Sequence, residues 1–160
     1  MNIDHSASQD PSTPSIDNPC ICPNAGPLLL CMDLSDNPIK CMVCKGTLDH
    51  KAIGIDDSVK GDALKWNSLY RALYILWIDS NEYESWALEK LADPKGRVNK
   101  LGFEIIQQLS SMRKAFYWWS EAFAGDVDRD KKCPNCGNEW ETDNANNLRI
   151  CCSCQIASPL

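Results

Sequence analysis

The sequence predicts an α+β fold with a helical middle segment between two strand-rich ends. Three observations predict it: short apolar runs alternate with turn residues near both ends, apolar residues recur at three- and four-residue steps in the middle, and an aromatic run follows. The chain has 160 residues, a length typical of one ordinary domain or two very small ones. We divide it into a disordered tail (1–18), a strand-rich half-module (19–60), a helical segment (61–114) and an aromatic strand with a second strand-rich module (115–160).

Charge and hydropathy exclude several classes of protein. Lys and Arg number 16 against 22 Asp and Glu, for a net charge of −6, so the surface is not uniformly basic as in the simplest nucleic-acid-binding proteins. The longest apolar run, 28–32, is too short to cross a bilayer, so no membrane association is expected. The first residues lack the basic and apolar regions of a secretory signal. We therefore predict a cytoplasmic protein.

The N-terminal part predicts a tail followed by short strands. Residues 1–18 are rich in Ser, Asp, Asn and Pro and contain too few apolar residues to offset the entropy of ordering. Beyond them, apolar runs such as 28–30 alternate with turn sequences such as 35–38. This alternation predicts short strands around the first cysteine pairs.

The middle of the chain predicts three amphipathic helices, each with one apolar face. The first is predicted over 62–78, and Asp79 with Glu82 resembles a capping box at the start of the second, which ends before Pro94. The three apolar faces consist of Trp66, Leu69, Tyr70, Leu73, Leu76 and Trp77, of Tyr83, Trp86, Ala87 and Leu91, and of Val98, Leu101, Ile105, Leu109 and Met112.

An aromatic run after the third helix predicts a strand. Phe116 and Trp118 would face one side of it, and Tyr117 and Trp119 the other. The charged residues 126–132 predict a linker, and the rest of the chain shows no helical period.

Eight of the ten cysteines form four close pairs that predict two zinc sites. A turn that presents two sulfurs supplies half of a tetrahedral zinc shell, so two such pairs form a closed structural site. Eighteen residues separate the first two pairs and fourteen the last two, close to zinc-ribbon spacing. One zinc ion is predicted on Cys20, Cys22, Cys41 and Cys44, and a second on Cys133, Cys136, Cys151 and Cys154. The predicted architecture is thus two zinc-ribbon-like β-hairpin modules joined by a three-helix segment.

The spacing leaves some assignments open. The second and third cysteine pairs could share an ion instead, and Cys152 could replace Cys151 as a ligand. Cys31 lies in an apolar run and is interpreted as a small buried hydrophobic residue. Disulfides are disfavoured by the missing signal, and a thioredoxin-like redox pair by the Gly and the further cysteine pair that follow Cys136.

The order of these features is itself informative. A C-x-C pair precedes Lys40 and a C-x-x-C pair, then come a helix around Trp66, an aromatic strand at Tyr117 and the motif Lys-Cys-Pro-x-Cys-Gly-x-x-Trp over 132–140. From about residue 18 onward the chain resembles a bacterial family of zinc-ribbon-containing proteins thought to bind nucleic acid. The resemblance implies the same eight ligands and no established activity. Members of that family carry a further N-terminal domain, in whose place this chain has the short polar tail.

The motifs favour binding rather than catalysis. The only histidines, His5 and His50, form no metal-binding motif, the four-sulfur sites are closed, and no phosphate-binding glycine motif occurs, so we predict no enzymatic activity.

The partner predicted on the resemblance is single-stranded or structured RNA or DNA. Zinc ribbons can present aromatic side chains that stack on bases and cations that contact phosphates. The candidate contacts are Lys131, Lys132, Trp140 and Arg149. The alternative is an acidic protein-interaction module, such as an immunity or antitoxin-like protein that binds a basic partner.

Overall fold

In the computed structural model, residues 18–120 and 132–160 are described, and they form six strands and three helices. Residues 1–17 of the predicted tail and 126–131 of the predicted linker lie outside this description. None of the described helices is long and apolar enough to span a membrane. The elements are β1 (Leu28–Leu30), β2 (Ile39–Cys41), α1 (Asp57–Asp79), α2 (Glu84–Ala92), α3 (Arg97–Ser110), β3 (Ala115–Trp118), β4 (Glu141–Asp143), β5 (Leu148–Cys151) and β6 (Ile156–Pro159).

All six strands belong to one sheet, in the order β2-β1-β3-β6-β5-β4. The aromatic strand β3 is parallel to both β1 and β6, whereas the β1–β2, β4–β5 and β5–β6 pairs are antiparallel. The α+β class is therefore confirmed, and the structure adds that the strands of both cysteine-bearing ends belong to the same sheet. Isolated hairpins with such short strands are marginally stable in water, and pairing both with β3 builds one larger sheet.

The helices cover one face of this sheet. Tyr117 and Trp119 belong to the core cluster between sheet and helices, whereas Phe116 and Trp118 belong to a smaller cluster that includes Leu29. This division confirms the predicted alternation of the aromatic strand, because successive strand residues point to opposite faces.

The helix boundaries differ from the predicted ones at two points. Helix α1 begins at Asp57 rather than near residue 62 because the Asp56 side chain accepts hydrogen bonds from the Ser58 and Val59 amides, both at 2.9 Å. The predicted capping box is wrong, since α1 continues through Asp79 and the N-cap of α2 is Tyr83, with no side-chain cap.

Parts of the predicted apolar faces are exposed to solvent. Leu69, Tyr83, Trp86 and Met112 are at least 39% exposed. Tyr83 and Met112 lie just outside the ends of α2 and α3, and α2 buries only Ala87 and Leu91. A short helix at the edge of the core buries only a narrow apolar stripe. The three- and four-residue spacing of apolar residues therefore overestimates how much of such a helix is buried.

A buried chain of hydrogen bonds ties α3 to β3 and to the end of α2. The Tyr117 hydroxyl donates to Asn99 Oδ1 at 2.7 Å, and Asn99 Nδ2 donates to the Leu91 and Asp93 carbonyls at 2.8 and 2.7 Å. Both Tyr117 and Asn99 are fully buried. Burial raises the pKa of Tyr117 well above its usual value, so the hydroxyl stays protonated and can donate.

We expect Tyr117→Phe to lower the free energy of unfolding by about 1–2 kcal/mol. The ring volume is kept, but the buried Asn99 amide oxygen loses its donor. Urea denaturation of the zinc-loaded protein measures the change. Tyr83→Phe is the matched control because Tyr83 is half exposed, and it should leave stability unchanged; equal effects of both variants would contradict the prediction.

Candidate metal centres

The first cysteine group lies beside β2, at one end of the sheet. The sulfur atoms of Cys20, Cys22, Cys41 and Cys44 all lie within 4.8 Å of one another. Cys41 Sγ is 3.9 Å from Cys22 Sγ, and Cys44 Sγ is 3.5 Å from Cys20 Sγ. A tetrahedral zinc ion with bonds of about 2.3 Å holds its sulfurs about 3.8 Å apart. The group therefore has the size of a four-sulfur zinc shell.

Close backbone contact brings the two cysteine pairs of this group together. The Cys20 amide donates to the Thr47 carbonyl, and the Thr47 amide donates to the Asn18 carbonyl, both at 2.8 Å. A Cβ atom at Gly46 would lie 2.7 Å from the Cys20 Cα and 2.9 Å from the Pro19 carbonyl carbon. Only glycine therefore lets the two loops approach this closely.

Backbone amides around the sulfurs favour thiolate formation at some positions. Burial opposes ionisation of Cys41, but hydrogen bonds from the Cys44, Gly26 and Val43 amides outweigh it and lower its pKa to about 6. Interaction with Cys44, together with burial, raises the pKa of Cys22 to about 12. Four thiolates at this separation repel one another, and a divalent cation would offset the repulsion.

The second cysteine group joins the loop before β4 to the turn between β5 and β6. The sulfur atoms of Cys133, Cys136, Cys151 and Cys154 also lie within 4.8 Å of one another, with 3.6 Å between Cys136 Sγ and Cys151 Sγ. The Asn135 side-chain amide donates to Cys154 Sγ at 3.4 Å. The Asn138 amide lowers the pKa of Cys136 to about 7, against the opposing effect of burial.

A tight turn shapes the first pair of this second group. The Gly137 amide donates to the Cys133 carbonyl at 2.9 Å, and the Cys133 amide donates to the Asn138 carbonyl at 2.7 Å. Gly137 has a φ of 75°, in the left-handed region that favours glycine. The Gly that follows the C-x-x-C motif thus lets the chain fold back beneath the two sulfurs.

The geometry answers the questions that the spacing leaves open. Each group combines consecutive cysteine pairs, so the crosswise arrangement does not occur. Cys151 belongs to the second group, whereas Cys152 is exposed and its Sγ lies 3.7 Å from Glu141 Oε2. Cys31 belongs to neither group; its thiol donates to the Met32 carbonyl at 3.5 Å, and burial raises its pKa to about 12.

Both groups could hold a metal ion, and their chemistry is compatible with zinc. Four cysteine sulfurs in a tetrahedral arrangement suit zinc or iron. The eight cysteines would hold two ions, and bound zinc would link the loops of each group through four sulfur bonds. A shell completed by four sulfurs has no open position, which is the coordination of a structural zinc site.

The predicted nucleic-acid contacts have different environments. Lys131 lies outside the described residues, and Lys132 is exposed. The Arg149 guanidinium lies 6.0 Å from the centroid of the Trp140 ring, and Arg149 Nε also donates to the Pro159 carbonyl at 2.8 Å. Trp140 packs partly against the main core. The structure therefore places the Arg149 guanidinium near the Trp140 ring, and both side chains are partly buried.

An aromatic cleft at the edge of the sheet is not indicated by any sequence motif. It has a volume of about 140 Å³ and is lined by Cys31, Met32, Tyr70, Tyr74, Trp77, Trp118 and Ser120. The available signal was the spacing of Tyr70, Tyr74 and Trp77 on α1, which by itself resembles an ordinary core face. Only the pairing of β1 with β3 places both Cys31 and Trp118 beside α1.

Comparison with protein-family models, curated proteins and solved structures finds no match to this chain. The family resemblance in the order of the cysteine pairs therefore stays a prediction. The sulfur geometry, the aromatic side chains and the surface charges provide the basis for a functional proposal.

Proposed function

We propose that this protein is a non-catalytic zinc-binding protein whose metal-stabilised sheet binds single-stranded or structured nucleic acid. The observation that carries the zinc part is the presence of two four-cysteine groups in opposite halves of one sheet. Ions held there would be structural, and both would stabilise the sheet that carries the aromatic strand. The proposal includes a cytoplasmic location and membership of the zinc-ribbon family that the chain resembles.

The absence of catalysis is proposed from the chemistry of the groups available. Catalytic zinc needs an open position, whereas both groups offer four sulfurs. His50, the histidine within the described residues, lies 3.1 Å from Asp57 and 3.8 Å from Asp49 and belongs to neither group. Its ring nitrogens therefore face two carboxylates and no cysteine sulfur, unlike those of a metal ligand in either group.

Cation–aromatic pairs along the sheet support the nucleic-acid part. Lys45 Nζ lies 5.6 Å from the centroid of the Trp118 ring, and Lys114 Nζ lies 5.2 Å from that of Phe116. The Arg149–Trp140 pair also combines a cation with an aromatic ring. Lysine and arginine can contact phosphates while aromatic rings stack on bases. Phe116 is buried, so Trp118 and Trp140, which are partly buried, are the rings of these pairs that a base could reach. They lie beside cations on a chain whose net charge is −6.

The proposal is tested by fluorescence anisotropy with labelled single-stranded and duplex RNA and DNA. We expect the zinc-loaded protein to bind, with an affinity that falls steeply as salt rises because phosphate contacts release counterions. Zinc content is measured on the same samples, so that loss of metal is not mistaken for loss of a contact. Absence of binding to every oligonucleotide at low salt, with both zinc ions present, would overturn the nucleic-acid proposal.

We expect Lys132→Glu to weaken binding and to reduce the slope of log K against log salt by about one, the effect of losing one phosphate contact. Lys132 is exposed beside the second cysteine group. Lys65→Glu is the matched control: Lys65 is equally an exposed lysine but lies on α1. Equal slopes for the two variants would remove Lys132 from the interface.

A second candidate, an acidic protein-interaction module, is favoured by the surface around the α1–α2 connection. Ile78, Tyr83 and Trp86 are each about half exposed there, and the exposed carboxylates Asp79 and Glu82 lie between them in the chain. Exposed apolar groups with acidic neighbours suit a basic protein partner. If the protein binds no nucleic acid, this candidate is favoured. Its test is the substitution Trp86→Ser, which should weaken the binding of a basic protein partner.

A further inference from the structure

The aromatic cleft lies where two parallel strands end. Cys31 and Met32 follow directly after β1, and Trp118 is the last residue of β3. Because β1 and β3 are parallel, their carboxyl ends meet at one edge of the sheet. Ligand sites in sheets with parallel strands commonly form at this edge.

Helix α1 supplies the opposite wall of the cleft. Tyr70, Tyr74 and Trp77 recur at four- and three-residue steps, so they share one face of the helix. Tyr74 and Trp77 make an edge-to-face contact, with 5.7 Å between ring centroids. Tyr70 is almost fully buried, whereas Tyr74, Trp77 and Trp118 are only partly buried. The cleft thus presents aromatic surface to an incoming ligand.

The open cleft has room inside it for about one aromatic ring. Its volume is about 140 Å³, and a dry apolar cavity of about 150 Å³ accepts benzene. A pyrimidine base is a single six-membered ring, whereas a purine is a larger bicyclic system.

The charges near the cleft disfavour an organic cation, the other usual occupant of an aromatic site. The charged side chains that interact electrostatically with the Cys31 thiol are Lys40, Asp33 and Lys45. Asp33 and Lys40 form an ion pair with each other. The Lys45 ammonium lies 5.6 Å from the centroid of Trp118. Lys45 also donates to the Met42 carbonyl and interacts with Asp143, so its charge is partly balanced. Its ammonium nevertheless occupies the cation position beside the Trp118 ring, which disfavours a second cation there.

We propose that this cleft is a base-binding subsite that accepts a pyrimidine from single-stranded nucleic acid. This inference rests on the proposed function and adds a base preference and named contacts to it. One pyrimidine ring would stack against Tyr74, Trp77 or Trp118. The Lys45 ammonium would attract the phosphate attached to that nucleotide. Stacking on aromatic side chains contributes substantially to single-strand binding.

The test uses the full-length, zinc-loaded protein and two kinds of probe. Titration calorimetry measures the binding of UMP, CMP, AMP and GMP, and anisotropy measures the binding of labelled oligothymidine and oligoadenine strands. We expect the pyrimidine nucleotides and the oligothymidine strand to bind more tightly than their purine counterparts. Equal or tighter binding of the purines would overturn the inference.

Variants of Tyr74 locate the site. Tyr74→Ala should weaken UMP binding at least about tenfold by removing one wall of the cleft, and Tyr74→Phe should restore it because the ring is kept. Tyr83→Ala is the matched control, since Tyr83 is half exposed and does not line the cleft. Zinc content and melting temperature show that each variant is folded. UMP binding by folded Tyr74→Ala at wild-type affinity would overturn the inference.

The two proposals can fail separately. If oligonucleotides bind but no mononucleotide does, and Tyr74→Ala binds the strands normally, the cleft is not a base site and nucleic-acid binding stands. If UMP binds in the cleft but strands bind no more tightly than UMP, the cleft is a nucleotide site and the wider nucleic-acid interface is wrong.

Discussion

Cys151→Ser is expected to bind one zinc ion instead of the two that we propose for the unsubstituted chain, and to unfold the C-terminal part of the sheet. Cys151 ends β5, and its Sγ lies 3.6 Å from Cys136 Sγ within the second cysteine group. A neutral serine hydroxyl is a poor replacement for a thiolate, and zinc binding contributes about 10 kcal/mol or more to folding in small sites. Native mass spectrometry counts the ions, and thermal denaturation followed by circular dichroism measures the loss of structure.

The adjacent cysteine provides the control for this prediction. Cys152→Ser changes the same chemical group one residue away, but Cys152 is exposed and lies outside the sulfur group. We expect this variant to keep two zinc ions and the wild-type melting temperature. Two ions in Cys151→Ser, or a single ion in Cys152→Ser, would show that the ligand assignment is wrong.

Gly102→Ala is expected to destabilise the protein by about 3 kcal/mol, although alanine is the better helix former. Gly102 lies in α3 where the helix crosses β3, and an added Cβ would lie 2.1 Å from Tyr117 Cε2 and 3.0 Å from Trp66 Nε1. Tyr117 is held by its buried hydrogen bond to Asn99, so its ring has little freedom to move away. Urea denaturation of the zinc-loaded protein measures the effect.

Gly61→Ala is the matched control because Gly61 also lies in a helix, α1, but no described residue outside its own stretch of helix lies within 4 Å of its added Cβ. Here the helix preference of alanine acts alone, and we expect an increase in stability of about 0.5–1 kcal/mol. The two substitutions are chemically identical and should have opposite signs. A stabilising effect at Gly102 would mean that the α3–β3 contact is looser than the structure describes.

Local chemistry explains what could be predicted from the sequence. The cysteine groups form from short turns in which two sulfurs lie close in the chain, and the Gly after Cys136 has the left-handed φ that such a turn requires. The alternation of Phe116 and Tyr117 between two faces follows from the period of a single strand. Each of these features depends on residues within one turn or one strand.

The helix ends and buried faces were less predictable because they depend on competing neighbours. Asp56 caps α1 earlier than the apolar period suggests, since a cap depends on one side chain and its nearest amides. Trp86 has the right spacing for a buried face but is half exposed. The period identifies which residues share a side of a helix, whereas burial requires another element opposite that side.

The helical period, the alternation of the aromatic strand and the pairing of cysteines within each turn follow from the amino-acid sequence alone. The position of β1, β3 and β6 side by side, which joins the two cysteine-bearing halves in one sheet, is visible only in the folded chain. Parallel pairing between strands far apart in the chain has no local sequence signal, because its stability comes from the core that the helices complete. The same pairing brings Cys31, Tyr74 and Trp118 to one cleft.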